Sequence, residues 1–149
     1  MSVQIPERLW PLFDRLFKGH VILYRATGGA IGHSFPGAPP MLLLDHVGAK
    51  TGKQRTTPLA YVRDGDDYVI VASKGGHPKH PAWFHNVLAS PDVRIQVRSK
   101  RMTVRGREAT SEERDRLWPK VVETYRGYQG YQDRTSREIP LVILEPAQR

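Results

Sequence analysis

Cysteine is absent from the 149-residue chain, which excludes disulfides, thiolate metal sites and a cysteine nucleophile. Acidic residues are scarce beside basic ones: 15 Asp and Glu stand against 23 Lys and Arg, a formal net charge of +8 with histidine neutral. That excess suits a polyanionic partner, whether nucleic acid, an anionic membrane surface, or a phosphorylated or polycarboxylated small molecule. No apolar run approaches the ~20 residues that a membrane-spanning helix needs, and no secretory signal pattern opens the chain, so cytoplasmic residence is expected. Paired carboxylates and a serine triad are also missing, so an enzyme built on this sequence draws its chemistry from a cofactor. The length suits one domain with a sizeable core, here taken as residues 1–149.

What is present is a succession of short strands punctuated by turns. Residues 6–26 place Leu9, Leu12, Phe13, Leu16 and Phe17 at helical spacing, with Pro11 and Gly19 allowing one kinked or two short helices. A Gly/Pro-rich loop follows over residues 27–40. "MLLLDHV" reads as a strand, "GAKTGKQRTT" as a turn or loop, and "PLAYVR" and "YVIVAS" as a hairpin joined by the Asp-Gly turn of "DGDD". "PAWFHNVLAS" reads as a short helix with proline at its start. "VRIQVR" and "MTVRGREA" form a second hairpin, and Thr110 with Glu113 marks the capped start of a helix in which Pro119 predicts a kink. "IPLVILEP" is the last strand. Hairpins outnumber helices, which predicts an α+β fold, mainly antiparallel β, built as a barrel with peripheral helices.

Three basic clusters differ in their settings. Arg98, Lys100 and Arg101 sit at a hairpin tip and read as a solvated turn. Lys50, Lys53 and Arg55 in one loop, and Lys74 and Lys79 in another, are interleaved with Gly48, Thr51, Gly52, Thr56, Thr57, Ser73, Gly75 and Gly76. Backbone N–H groups, hydroxyls and cations together make an anion cradle. "GAKTGKQ" lacks the glycine spacing of a phosphate-binding P-loop, which argues against a nucleotide triphosphatase. His77, His80 and His85 have no carboxylate near them in sequence and read as surface or ligand-facing groups, with no metal expected. Of the adjacent Trp83 and Phe84, one is expected in the core and the other beside a ligand. Tyr125, Tyr128 and Tyr131 recur every third residue with glycines between them. Such a stripe serves either core packing or an aromatic pocket wall.

"GAKTGKQRTTPL", "VIVASKGGHPKHPAWFHN", the "SEERDRLWPKVVETY" helix and "YRGYQGYQDRTSREIPLVILEP" together resemble the deazaflavin-dependent nitroreductase family, whose members reduce quinones and nitro compounds with reduced coenzyme F-420. The resemblance runs from Met41 to Pro146. It implies a split β-barrel of the flavin-reductase kind, and a deazaflavin whose phosphate and polyglutamate tail lie against basic loops. Carried over by position, the cofactor contacts are Ala49, Lys50 and Thr51, then Arg55, Thr56, Thr57, Pro58, Leu59 and Ala60. Val71, Ala72, Ser73 and Lys74 follow, with Ala82, Trp83, Phe84, His85, Asn86 and Tyr128. The acceptor wall is Tyr125, Tyr128 and Tyr131, with Ser73 and Tyr128 as candidate catalytic donors. Ala49 stands where an arginine is common in the family. Ala60 stands where the nitroimidazole-activating member has tyrosine, which predicts poor activity on bicyclic nitroimidazoles.

An FMN-binding oxidoreductase shares the implied fold, and a non-catalytic cofactor carrier or a barrel that binds single-stranded nucleic acid draws on the same basic loops. The preferred reading is a reductase of a small quinone or nitro acceptor with no nucleic-acid partner. The N-terminal segment, with Arg8, Arg15 and Lys18 beside its apolar face, either covers the barrel or lies peripherally on an anionic membrane.

Overall fold

The computed structural model describes residues 7–34 and 39–147. The elements run α1 (Trp10–Thr27), β1 (Met41–Val47), β2 (Gln54–Asp64), β3 (Asp67–Val71), α2 (Ala82–Ala89), β4 (Asp92–Val97), β5 (Lys100–Glu108), α3 (Ser111–Thr124), α4 (Gly127–Asp133) and β6 (Leu141–Pro146). The six strands close into an antiparallel barrel in the order β1-β2-β3-β6-β5-β4, with β4 pairing back onto β1. The expected mainly antiparallel barrel with peripheral helices is therefore the fold observed.

Side chains alternate between the two faces of each strand, and the burial pattern follows that period. Leu42, Leu44, Tyr61, Tyr68, Ile70, Ile95, Val104, Val142 and Leu144 fill the barrel, and Trp83, Phe84 and Val87 of α2 join them. The opposite face, carrying Val62, Val69, Val71, Leu141 and Ile143, packs under Leu117 and Val121 of α3 and Tyr128 of α4. Full burial of one such aliphatic side chain contributes about 1.5–3 kcal/mol relative to exposure. The close approach of α2 depends on a glycine. A Cβ at Gly106 would lie 2.5 Å from Val87 Cγ1, so only glycine lets β5 accept that helix.

The strand registers gather three connections at one end of the barrel. Val47 pairs with Gln54, Val71 with Leu141, and Asp92 with Arg105. The 48–53 loop, the 73–81 segment with α2, and the 134–140 segment all emerge there. At the other end are the tips of the β2–β3 and β4–β5 hairpins, including Arg98, Lys100 and Arg101.

Several local expectations change. Gln54–Thr57 is strand rather than turn, because Val47, His46, Asp45 and Leu44 of β1 pair with it residue by residue; pairing across the sheet outweighs the polar composition. Pro11 sits in the first turn of α1, where its missing N–H costs nothing, and a single helix runs through Gly19. The apolar positions Leu9, Leu12 and Leu16 are exposed, and Tyr24 and Arg25 attach the helix instead. The side chains of Phe13 and Phe17 lie outside the described residues. Helix α3 continues through Pro119 as one element. The carbonyl that proline leaves without a donor belongs to Asp115, and both residues are exposed to water.

Candidate functional site

At the end where these connections meet, segments distant in sequence are held together by hydrogen bonds. One chain of such bonds crosses from α2 to β2. Asn86, 6% exposed, accepts at Oδ1 from the backbone N–H of Ala49 at 2.9 Å. Its Nδ2 lies 3.0 Å from His46 Nδ1, and His46 Nε2 lies 2.8 Å from Thr57 Oγ1. His46 occupies an interior position of β1 in phase with Leu42 and Leu44 and is 4% exposed. Burial lowers its pKa, with the nearby Arg55 cation acting in the same direction and Asp45 opposing. The imidazole is accordingly neutral near pH 7. Thr56, on the outer face, is engaged differently: it donates to Asp45, which also pairs with Arg25 of α1 at 2.6 Å. An open cleft of about 790 Å³ adjoins this corner, bordered by Arg25, His46, Arg55, Thr56 and Arg94.

A second set of bonds shapes the loop after β3. Ser73 is right-handed (φ −79°, ψ −39°) and Lys74 left-handed at φ +44°. A right-handed residue followed by a left-handed one is the backbone succession found in anion-binding nests. Gly76 continues it at φ +80°, and a Cβ there would meet the Tyr131 carbonyl oxygen at 2.8 Å. Only glycine allows the loop to lie against α4. Arg137 closes the loop from the opposite side. Its Nε donates to His77 O at 2.8 Å, its Nη1 to Ala72 O at 3.2 Å and to His80 Nδ1 at 3.0 Å, and its Nη2 to Ser73 O at 2.8 Å. Four of the five guanidinium N–H groups are thereby used on one loop. Desolvation lowers the Arg137 pKa, and burial with the adjacent Arg137 cation lowers that of His80, whose Nδ1 acts as acceptor.

The tyrosine stripe lies beside this loop. The rings of Tyr125, Tyr128 and Tyr131 pack mutually, with centroids 5.1–6.4 Å apart. Tyr128 is 8% exposed and rests on the outer barrel cluster, with Tyr125 and Tyr131 half-buried over it. Burial and the neighbouring phenols raise the Tyr128 pKa. Burial together with a hydrogen bond to Tyr125 pushes Tyr131 up to about 12. Tyr128 and Tyr131 therefore stay protonated at ordinary pH. The glutamines that follow Tyr128 and Tyr131 are tethers. Gln129 accepts from Trp118 Nε1 at 3.0 Å, while Gln132 accepts from Ile139 N at 2.9 Å and donates to Arg137 O at 2.8 Å. The tyrosine helix and the Ser73 loop are thus joined through Arg137.

The sequence-selected residues separate into three groups in space. Ala49, Lys50, Thr51, Arg55, Lys74, Ala82 and His85 are exposed at the shared end. Thr57, Leu59 and Asn86 point inward, whereas Thr56, Pro58 and Ala60 lie on the outer face, as alternation along β2 requires. Val71, Ala72, Ser73, Trp83, Phe84 and Tyr128 are buried. The division expected between Trp83 and Phe84 is not seen: α2 enters the barrel mouth, so both rings are in the core. Among the described residues no three His, Asp or Glu side chains are arranged to hold a metal. Sequence reasoning missed His46 and Arg137. His46 was detectable as the one polar residue at an inward position of β1, but nothing local marks Arg137, whose partners lie about 60 residues away.

Residues 16–146 match the family model described as F-420H(2)-dependent quinone reductase. An F-420H(2)-dependent quinone reductase of Mycobacterium tuberculosis H37Rv is 52% identical over 133 residues, covering 87% of this chain and 89% of that protein. A solved F-420-H2-dependent reductase (FDR-A) superposes with a TM-score of 0.66 at 45% identity, over 71% of this chain and 94% of that one. A second solved structure, described as a domain-swapped dimer, is 39% identical with a TM-score of 0.68, over 91% of this chain and 99% of that one. Matches of this extent across the strands and loops just described place the chain in the F-420H(2)-dependent quinone reductase family, with deazaflavin coenzyme F-420 as its cofactor.

Proposed function

We propose that the chain is an oxidoreductase that uses reduced deazaflavin to reduce a small quinone-class acceptor, with nitro compounds as a second acceptor class. The observation that supports this most directly is the convergence, at one barrel end, of the loop carrying Lys50, Lys53 and Arg55 with the Ser73–Lys74 nest and the tyrosine helix. Such a cluster of cations and oriented N–H groups fits a phosphate followed by several carboxylates. The bound reduced deazaflavin supplies the hydride. The protein's own residues bind, orient and exclude water: Lys50, Lys53, Arg55 and Lys74 take the anionic tail, and the interior surface of α2 seals the barrel below. Tyr125 and Tyr131 wall the acceptor, and the hydroxyls of Ser73 and Tyr128 supply hydrogen bonds to an acceptor oxygen as it gains charge. The raised pKa of Tyr128 suits it to donating a hydrogen bond rather than releasing its proton. Ala60 lies one outward position from Val62, which packs under Tyr128, leaving room that favours broad quinone acceptance over bicyclic nitroimidazoles. Fluorescence titration with deazaflavin and FMN tests the assignment; tighter binding of FMN would overturn it.

A membrane-surface reading of α1 is supported by a separate observation. Leu12, Leu16 and Leu23 are 55%, 60% and 49% exposed and share one side of the helix, flanked by exposed Arg8, Arg15 and Lys18. An apolar stripe with a basic flank fits an anionic lipid surface, which brings the site near a lipid-soluble quinone. Sedimentation with phosphatidylglycerol-containing and neutral vesicles is the test: equal pelleting of the full chain and a form lacking residues 1–26 rejects it.

A further inference from the structure

We propose that His46 is a positioning residue for the cofactor end of the barrel: as the tautomer protonated at Nε2, it sets the direction of a buried hydrogen-bond chain that fixes the 48–53 loop and presents the Thr57 hydroxyl as a donor. The inference rests on the cofactor reading above.

The direction follows from which atoms can donate. The backbone N–H of Ala49 only donates, so the atom of Asn86 facing it at 2.9 Å is the carbonyl oxygen. The amide nitrogen of Asn86 therefore faces His46 Nδ1 at 3.0 Å, and that ring nitrogen must accept. In a neutral imidazole the proton then resides on Nε2, which donates to Thr57 Oγ1 at 2.8 Å. With one lone pair of Thr57 occupied in this way, its own proton is directed to a further acceptor. A phosphate or carboxylate oxygen is such an acceptor, and Arg55 lies two residues away to share it. The chain spans three elements, β1, β2 and α2, and ends on the loop that carries Lys50 and Lys53.

The groups around the ring favour this state. Arg55 on β2 disfavours a second imidazole proton and Asp45 on β1 favours it, while Asn86 on α2 and Thr57 on β2 are neutral. A proton on Nδ1 would face the Asn86 amide nitrogen, donor against donor. Rotating the Asn86 amide to relieve this sets its nitrogen against the Ala49 N–H instead. No arrangement of Asn86 satisfies both neighbours once His46 is doubly protonated.

The test compares wild type with His46→Phe, which keeps ring volume and loses both nitrogens, and His46→Gln, which retains one acceptor and one donor. Three readouts are taken: hydrogen exchange at the Ala49 amide without cofactor, the deazaflavin dissociation constant by fluorescence, and the nitrogen-15 shifts of the His46 ring. The expected result is about tenfold faster Ala49 exchange and about tenfold weaker cofactor binding in His46→Phe, substantial rescue by His46→Gln, and a wild-type ring protonated at Nε2 alone. Unchanged Ala49 exchange and unchanged affinity in a folded His46→Phe would overturn the proposal, as would a wild-type ring protonated at Nδ1. Should His46→Phe not fold, the ring shifts and the exchange rate in His46→Gln still decide it. Failure of the wild type to bind the deazaflavin would instead reject the cofactor reading, and the exchange and tautomer measurements would keep their meaning.

Discussion

Replacing Arg137 with methionine removes a guanidinium while keeping most of the stem packing. Three acceptors lose their donor, the carbonyls of Ala72 and His77 and His80 Nδ1, while Ser73 O keeps the Gly76 N–H. An unsatisfied polar group costs about 1–3 kcal/mol when buried. Because these bonds are part-buried and the loop can open to water, the lower end of that range applies, giving roughly 3 kcal/mol in total. Against this stands the desolvation that the guanidinium itself endures, visible in the direction of its pKa shift. A net loss of about 2 kcal/mol, concentrated in the loop, is the expected balance. If the loop must reorder to bind the deazaflavin, the same energy appears as about thirtyfold weaker affinity. The melting temperature should fall by less than the ~4–8 °C that 2 kcal/mol of global destabilisation would give, since the loop opens without unfolding the barrel. Hydrogen exchange at the Gly76 and His77 amides, which donate within the loop to Ser73 O and Lys74 O, should accelerate by a similar factor. Arg137→Lys keeps the charge but offers no planar fork, so only part of the protection should return. Unchanged exchange at Gly76 and His77 together with unchanged cofactor affinity in Arg137→Met would refute the reasoning.

Tyr128→Phe keeps the packing and removes only the hydroxyl, so stability and cofactor affinity should remain near native while menadione reduction slows. The same change at Tyr125 and Tyr131 should act mainly on the acceptor step, and unchanged rates in all three would assign the stripe to packing alone. Glu113 is held down to about 2 by hydrogen bonds from Arg107 and from the backbone N–H of Thr110. A carboxylate depressed in the folded state adds stability above its unfolded pKa and loses it as pH falls towards the folded value. Glu113→Gln should therefore destabilise near pH 7 by about 1 kcal/mol, discounted for the partly exposed Arg107 partner. That difference should vanish between about pH 5 and pH 2 in a thermal-melt series. Gly106→Leu should destabilise far more, because its side chain would occupy the space of Val87.

How much of this could be read along the chain depends on the range of the interaction involved. The apolar run of β1 and the Asp-Gly turn at residues 64–65 are local, and each produced the observed element. The capping box of Thr110 and Glu113 is equally local and is present as expected. The glycines, hydroxyls and cations of the 48–53 and 73–76 loops stand out as a candidate site by their chemistry alone. Which of their neighbours face inward could not be read that way. Parity along β2 depends on a register with β1 that begins at Gln54, inside a stretch whose composition suggests a turn. The burial of both Trp83 and Phe84 depends on α2 entering the barrel mouth past Gly106, a contact between residues about 20 apart. His46 and Arg137 mattered least in sequence and most in space, because their partners are set by barrel closure. A hydrogen bond needs its two groups within about 3 Å, and only the folded chain brings Ala49, His46, Thr57 and Asn86, or Arg137 and Ser73, that close.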